Sequence, residues 1–157
     1  TNKPDAFIVK RAKKLNIPVT FITKIELNNF DSLYKMLQNT KVDFVILAGF
    51  LLKLPIIMVE KYQNRILNIH PSLLPKYGGR GMYGDNVHKA VLENKEIESG
   101  ISIHFVNQNY DEGELILQER CSISENETLD TLAAKIHQLE QKHFPIAIEK
   151  TLKNQNL

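Results

Sequence analysis

Apolar positions recur along the chain at two spacings, and the spacing changes where the elements change. Residues two apart share one face of a strand. In Ile66-Leu67-Asn68-Ile69-His70, Ile66, Asn68 and His70 therefore face one way and Leu67 and Ile69 the other, until Pro71 stops the ladder. A second alternation over residues 99–107 sets Ile101, Ile103 and Phe105 on one face and Ser102, His104 and Val106 on the other. Residues 115–122 are predicted to form a strand that brings the chain back along the sheet. Residues 42–48 are nearly continuously apolar, as expected for a parallel strand covered on both faces. Residues 17–22 have the composition of a short strand.

Helical spacing takes over between these runs. Ala6, Phe7, Ala12 and Leu15 give one apolar side of a helix whose other side carries Lys and Arg. Phe30, Leu33 and Leu37, with Tyr34 and Met36 nearby, predict a helix capped by Asn28, Asn29 or Asp31. A short helix is expected over residues 55–62, and another from His88 through Glu93 towards Lys95. The longest is predicted over residues 128–152, with Leu129, Leu132, Ala133, Ile136, Leu139 and Phe144 on its apolar side. Ser124 and Glu127 have capping-box spacing there, and Asn126 and Thr128 are alternative caps. Pro145 removes a backbone donor and predicts a kink. Helices alternating with short apolar strands indicate an α/β domain with a mainly parallel sheet.

Composition narrows the classes without naming a function. The chain has 157 residues, 43% hydrophobic and 24% charged, which suits one globular domain with a sizeable core. A net charge of +2 is too mild to indicate nucleic acid, and Lys10-Arg11-Ala12-Lys13-Lys14 reads as the wet side of a helix. One cysteine, Cys121, allows no intrachain disulfide and points to a reducing compartment. No apolar run approaches the ~20 residues of a membrane span, so the expectation is a cytoplasmic protein with no membrane partner. No motif supplies a metal site.

Several residues carry candidate chemistry. Asn68 and His70 lie about 7 Å apart on one strand face, close to the carboxyl end, where open α/β sheets bind ligands. A carboxamide there can hold a carbonyl oxygen, and an imidazole can move a proton. Taken alone, the pair reads more readily as a capping Asn and a satisfied core His in a buried strand than as a catalytic pair. The loop after Gly49 is apolar (Phe50, Leu51, Leu52, Leu54), so it either packs under its neighbours or lines a pocket. Residues 78–86 hold Gly78, Gly79, Gly81 and Gly84, fitting either a mobile surface loop or a flap over ligands. Asp111-Glu112-Gly113, after Asn107-Gln108-Asn109-Tyr110, is by itself an ordinary turn. Glu140, four residues from both Ile136 and Phe144, brings a carboxylate near a buried face, where it is costly unless paired or wet.

The run Asn68-Ile69-His70-Pro71-Ser72-Leu73-Leu74-Pro75-Lys76-Tyr77 resembles the Asn-x-His-x-Ser-Leu-Leu-Pro signature of the 10-formyltetrahydrofolate formyltransferases. Within them it is most similar to members that formylate glycinamide ribonucleotide in de novo purine synthesis. The resemblance implies a Rossmann-like formyltransferase fold, 10-formyltetrahydrofolate as co-substrate, glycinamide ribonucleotide as acceptor, no metal, and a monomer or homodimer. It implies catalytic roles for Asn68, His70 and Asp111, with Asn68 holding the oxyanion and Asp111 raising the pKa of the proton-moving His70. It implies folate contacts from Leu51, Leu52, Lys53, Leu54, Asn68, Asn107, Gln108, Asn109, Tyr110 and Asp111, and acceptor contacts from His137 and Glu140. It also implies a cis Leu74–Pro75 bond. His104 resembles a family position, and a hydrogen-bonded structural role is expected for it. Relatives begin with a strand, a Gly-rich phosphate loop, a helix and a second strand that this sequence does not contain. Residues 1–157 are therefore expected to be a single catalytic domain lacking that segment. The alternatives are a formyltetrahydrofolate deformylase, which uses water in place of the amine, and a non-catalytic folate- or nucleotide-binding remnant.

Overall fold

The structure, a computed structural model, describes residues 1–156; Leu157 and the side chain of Phe30, expected on an apolar helix face, lie outside the described residues. The elements in order are α1 (Phe7–Lys14), α2 (Lys24–Asn28), α3 (Phe30–Asn39), β1 (Val45–Leu47), α4 (Ile56–Lys61), β2 (Ile66–His70), α5 (Asp85–Glu93), β3 (Glu98–Phe105), β4 (Leu115–Ser122) and α6 (Leu129–Asn154). They fall into two compact units, residues 1–42 with 54–58 and residues 43–53 with 59–157. No helix among the described residues is long and apolar enough to cross a membrane.

The first unit holds α1 to α3. Val9 and Ala12 are the buried side of α1, whereas Phe7 and Leu15, expected on that side, are 65% and 66% exposed. Arg11 covers the Phe7 ring at 4.8 Å, a cation–π contact that shields the ring without burying it. Residues 17–22 form no strand. The Thr1 ammonium donates to the Thr20 carbonyl at 3.1 Å, the Ile22 N–H to the Thr1 carbonyl at 3.0 Å, and the Ile17 N–H to the Ala12 carbonyl at 2.9 Å, so single residues rather than a neighbouring strand are the backbone partners. Strand-favouring side chains make a strand only where a ladder exists to join. α2 was not anticipated, though its signal stands in Thr23-x-x-Glu26. Glu26 N–H donates to Thr23 Oγ1 at 3.2 Å and Thr23 N–H to Glu26 Oε2 at 2.8 Å, a capping box that satisfies two orphan donors. α3 starts after Asn29, whose side chain makes no cap.

The second unit contains a four-stranded sheet in the order β1-β2-β3-β4. Asn68 stands opposite His104, His70 opposite Ser102, and Ser102 opposite Gln118, so these five polar side chains share one face. Leu67, Ile69, Ile103 and Ile101 lie on the other face. Leu67, Ile101 and Ile103 join Leu132, Ile136, Phe144 and Ala147 of α6, and Val87 and Val91 of α5, in one core. Each such aliphatic side chain contributes about 1.5–3 kcal/mol on full burial. The core thus presses α6 and α5 onto the sheet and fixes the register that aligns the polar row.

The α/β architecture matches the expectation, but strand direction differs from it. β1 and β2 are parallel, while β2–β3 and β3–β4 are antiparallel, so the described sheet is mixed rather than mainly parallel. Only residues 106–114 join β3 to β4, too few for a parallel crossover of a dozen or more residues. Apolar periodicity carries no information on direction. β1 is shorter than the apolar run it came from, and Ile46 is 37% exposed instead of covered on both faces. α6 is capped by Thr128, with Thr131 completing the box, and continues unbroken through Pro145. Ser124 and Glu127 pair as their spacing predicted, but one turn ahead of the helix.

Candidate active site

At the end of β2 the chain turns through Pro71 into a loop held by one buried hydroxyl. Ser102 Oγ donates to the Ser72 carbonyl at 2.6 Å and accepts from the Leu74 N–H at 2.9 Å. It also accepts from Gln118 Nε2 at 2.8 Å, and Gln118 donates in turn to the Leu74 carbonyl at 2.9 Å. Ser102 is fully buried, so its one hydrogen and both lone pairs are used on this clamp. The Leu74–Pro75 bond inside it is cis, as expected.

The clamped loop brings three predicted residues together. His70 Nε2 lies 2.7 Å from the Tyr77 carbonyl oxygen, which only accepts, so Nε2 carries the proton. His70 Nδ1 then faces Asp111 Oδ2 at 3.5 Å. Gly79 N–H donates to that same Oδ2 at 2.9 Å. Asn68 Nδ2 lies 3.2 Å from His104 Nε2 and 3.5 Å from Asp111 Oδ1. His104 Nδ1 donates to its neighbour's carbonyl, Phe105 O, at 2.8 Å, which leaves Nε2 to accept from Asn68. His104 Nε2 is also 3.6 Å from Asp111 Oδ1, beyond a good hydrogen bond. Asp111 is therefore the hub, with its side chain 11% exposed.

Two glycines make the hub possible. A Cβ on Gly78 would lie 2.6 Å from Leu74 Cδ2 and 3.3 Å from Asp111 Cβ, and one on Gly113 would lie 1.7 Å from the Phe105 carbonyl oxygen. The start of the Gly-rich segment, Gly78 and the Gly79 amide, thus packs against Asp111, whereas Gly81 and Gly84 are exposed with open space beside them.

Electrostatics follow burial more closely than the sequence implied. Burial pushes the His70 imidazole below its ordinary value, and the charge of Asp111 and the Tyr77 hydrogen bond recover only part of that. Asp111 raises the His70 pKa as expected, but desolvation of the charged ring is the larger effect and the net direction is down. Burial alone would raise the Asp111 carboxyl, but His104, His70 and the Gly79 N–H together hold it below the ordinary carboxylate value.

The remaining predicted residues are distributed as follows. Lys53 lies over the Tyr110 ring, Nζ 5.3 Å from the centroid, joining two of the predicted folate segments. Leu51 is exposed, Leu52 half-buried, and Leu54 is buried in the first unit. Asn107 Oδ1 accepts from the Asn109 N–H at 2.9 Å, Asn109 Nδ2 donates to Glu112 at 2.7 Å, and Gln108 reaches Glu60 at 3.3 Å. On α6, Glu140 is half-buried and His137 exposed. Burial raises the Glu140 pKa against the opposing pull of His137. No hydrogen bond or ion pair joins Glu140 to Asn68, His70 or Asp111 among the described residues. His88, in α5, is buried with Nδ1 unpartnered. The Ser102–Gln118 clamp, the Tyr77 carbonyl and the Gly79 amide were not anticipated. Ser102 could have been found, since it shares the face of His104 in the alternation; a backbone carbonyl leaves no mark in a sequence.

The profile of the formyl transferase family matches residues 1–148. The chain is 42% identical over 149 residues to the chloroplastic phosphoribosylglycinamide formyltransferase of Arabidopsis thaliana, covering 92% of this chain and 51% of that protein. It is 34% identical over 153 residues to the phosphoribosylglycinamide formyltransferase of Haemophilus influenzae, covering 95% of this chain and 70% of that one. The crystal structure of phosphoribosylglycinamide formyltransferase from Bacillus halodurans superposes with a TM-score of 0.86 at 33% identity, over 97% of this chain and 78% of that one. The chain thus spans about half the length of the Arabidopsis relative and more of the bacterial ones. On a match that runs from its first residue almost to its last, the chain belongs to the formyl transferase family.

Proposed function

We propose that this chain transfers the formyl group of 10-formyltetrahydrofolate to the amine of glycinamide ribonucleotide. The observation that carries the reading is the convergence of Asn68, His70 and Asp111, each within 3.5 Å of another, at the carboxyl end of β2. Similarity to phosphoribosylglycinamide formyltransferases supports the choice of acceptor.

The amine attacks the formyl carbon, a C–N bond forms, and the carbonyl oxygen becomes an oxyanion. Asn68 Nδ2 donates to that oxygen without titrating. Its contact with Asp111 is the longer of its two, at 3.5 Å against 3.2 Å to His104, and is the one the oxyanion displaces. His70, neutral because burial depresses its pKa, accepts the proton of the attacking amine at Nδ1. Asp111 stabilises the imidazolium so formed. Collapse breaks the bond to the folate nitrogen, which leaves as it takes up the proton that His70 gives back, so the imidazole ends neutral. Leu51, Leu52, Lys53 and the segment 107–111 contact the folate, and His137 with the half-buried carboxylate of Glu140 contacts the acceptor. A cytoplasmic, reducing setting suits the single free thiol, Cys121.

Incubation of the full-length protein with both substrates tests the reading. Formylated acceptor and tetrahydrofolate are expected in equal amounts. Formate release without the amine would instead mark a deformylase, and no turnover with either would mark a binding remnant.

A further inference from the structure

The neutral imidazole of His70 has one proton and two acceptors in reach, the Tyr77 carbonyl at 2.7 Å and Asp111 at 3.5 Å. A carboxylate is intrinsically the stronger acceptor. The proton nevertheless sits on Nε2 because the carbonyl is closer, which leaves Nδ1 free to act as base. Something must hold that carbonyl in place. Tyr77 has φ +57, a left-handed conformation uncommon outside Gly and Asn, which persists only where the surroundings determine it.

What determines it lies outside the reacting groups. Tyr77 Oη donates to Glu96 Oε1 at 2.9 Å, and Lys76 Nζ donates to the same oxygen at 2.8 Å. Glu96 stands between α5 and β3, its own N–H bonded to the Val91 carbonyl at 3.3 Å. The loop is therefore tied at both ends. Ser102 and Gln118 hold residues 72–74, Ser72 Oγ donates to the Lys76 carbonyl at 2.7 Å, and Glu96 holds the side chains of residues 76 and 77. Two residues past Tyr77, the Gly79 amide holds Asp111, so the same short segment sets both members of the His70–Asp111 pair.

We propose that Glu96, acting through the Tyr77 hydroxyl, is a positioning residue that fixes His70 as its Nε2–H tautomer and so presents Nδ1 as the base. Neither Glu96 nor the Tyr77 side chain touches the reacting atoms. Released from Glu96, the Tyr77 carbonyl recedes, and the single proton of His70 redistributes to Nδ1 against Asp111. A base already carrying its proton does not accept the amine's.

The test is imidazole nitrogen NMR of full-length protein at a pH where His70 is neutral, comparing wild type with Tyr77→Phe, Glu96→Ala and Glu96→Gln. Wild type and Glu96→Gln, whose amide oxygen still accepts from the tyrosine, are expected to show Nε2–H. Tyr77→Phe, which removes one oxygen and keeps the packed ring, and Glu96→Ala are expected to show a mixture with Nδ1–H. In those two variants kcat falls about tenfold, with KM for the folate unchanged, as misplacement of a reacting group does. An unaltered Nε2–H signal in both overturns the proposal whatever happens to activity. The kinetic arm rests on the transferase reading, but the tautomer arm does not. Wild-type protein that fails to transfer formyl would defeat the former while the spectra still decide the latter.

Discussion

Replacing Gly113 by alanine adds one methyl group at the point where the Asp111 turn passes β3. The new carbon would lie 1.7 Å from the Phe105 carbonyl oxygen, where ordinary contact begins near 3.4 Å, so about 1.7 Å of separation must be found. β3 cannot supply it, because Phe105 is paired with Leu67 and its N–H bonds the Glu114 carbonyl at 2.9 Å. The turn must move instead, taking Asp111 with it. Overpacking of this kind costs about 1–3 kcal/mol, and a weakened Phe105–Glu114 bond adds about 1 kcal/mol. For a chain of 157 residues the sum lowers Tm by on the order of 10 °C. A shift of about 1 Å in a catalytic group costs roughly a hundredfold in rate, so kcat should fall by at least that much at a temperature where the variant is folded. Thermal unfolding followed by calorimetry, with initial rates at saturating substrates, measures both. A variant with wild-type Tm and wild-type kcat would show that the turn yields freely, and the hub geometry would lose its basis.

Asn68→Ala should lower kcat about 10²–10³-fold, the usual effect of losing one oxyanion donor, with little change in Tm; a loss below threefold would remove Asn68 from the chemistry. Because burial lowers the His70 pKa, the acid limb of kcat/KM should have its midpoint below 6.5. Asp111→Asn should move that limb further down, since the carboxylate is what raises it; a shift upward would contradict the pairing. Glu127, bound by Lys135, Thr131 and Ser124, has its carboxyl lowered from the ordinary 4.5 to about 2. A lowered carboxylate stabilises the fold fully above 4.5 and loses that contribution as pH falls towards 2. Glu127→Gln should therefore be less stable than wild type in urea at pH 7 and should approach it near pH 2.5; a pH-independent gap would refute this.

Local chemistry was readable in the sequence where a short stretch determines it. The alternation in residues 66–70 put Asn68 and His70 on one face, and the structure adds His104, Ser102 and Gln118 beside them by register. The capping box of Thr23 and Glu26 is equally local and equally readable. Properties that depend on what lies across space were not. The composition of residues 17–22 favours a strand, but only a partner makes one, and Thr1 is a single residue. Phe7 and Leu15 have the apolar character of a core, yet α1 buries Val9 and Ala12. The charge on Asp111 argued for a raised His70 pKa, and burial, which no local pattern reports, reversed the net direction. His104 was expected to be structural. It is hydrogen-bonded and buried as such a residue should be, and it also occupies Asn68 and approaches Asp111.

The hairpin of β3 and β4 bears Asp111 at its tip and the clamp residues Ser102 and Gln118 on its arms. Acid and clamp thus belong to one contiguous segment, residues 98–122, and recombine as one module. A chimera exchanging that segment whole with a homologue inherits a matched set. A crossover placed between residues 102 and 118 joins a foreign tip to a native arm. An insertion of one residue in either arm would turn everything beyond it to the opposite side of the sheet. Recombination within this family should therefore tolerate breakpoints at the ends of the hairpin and be purged of them inside it.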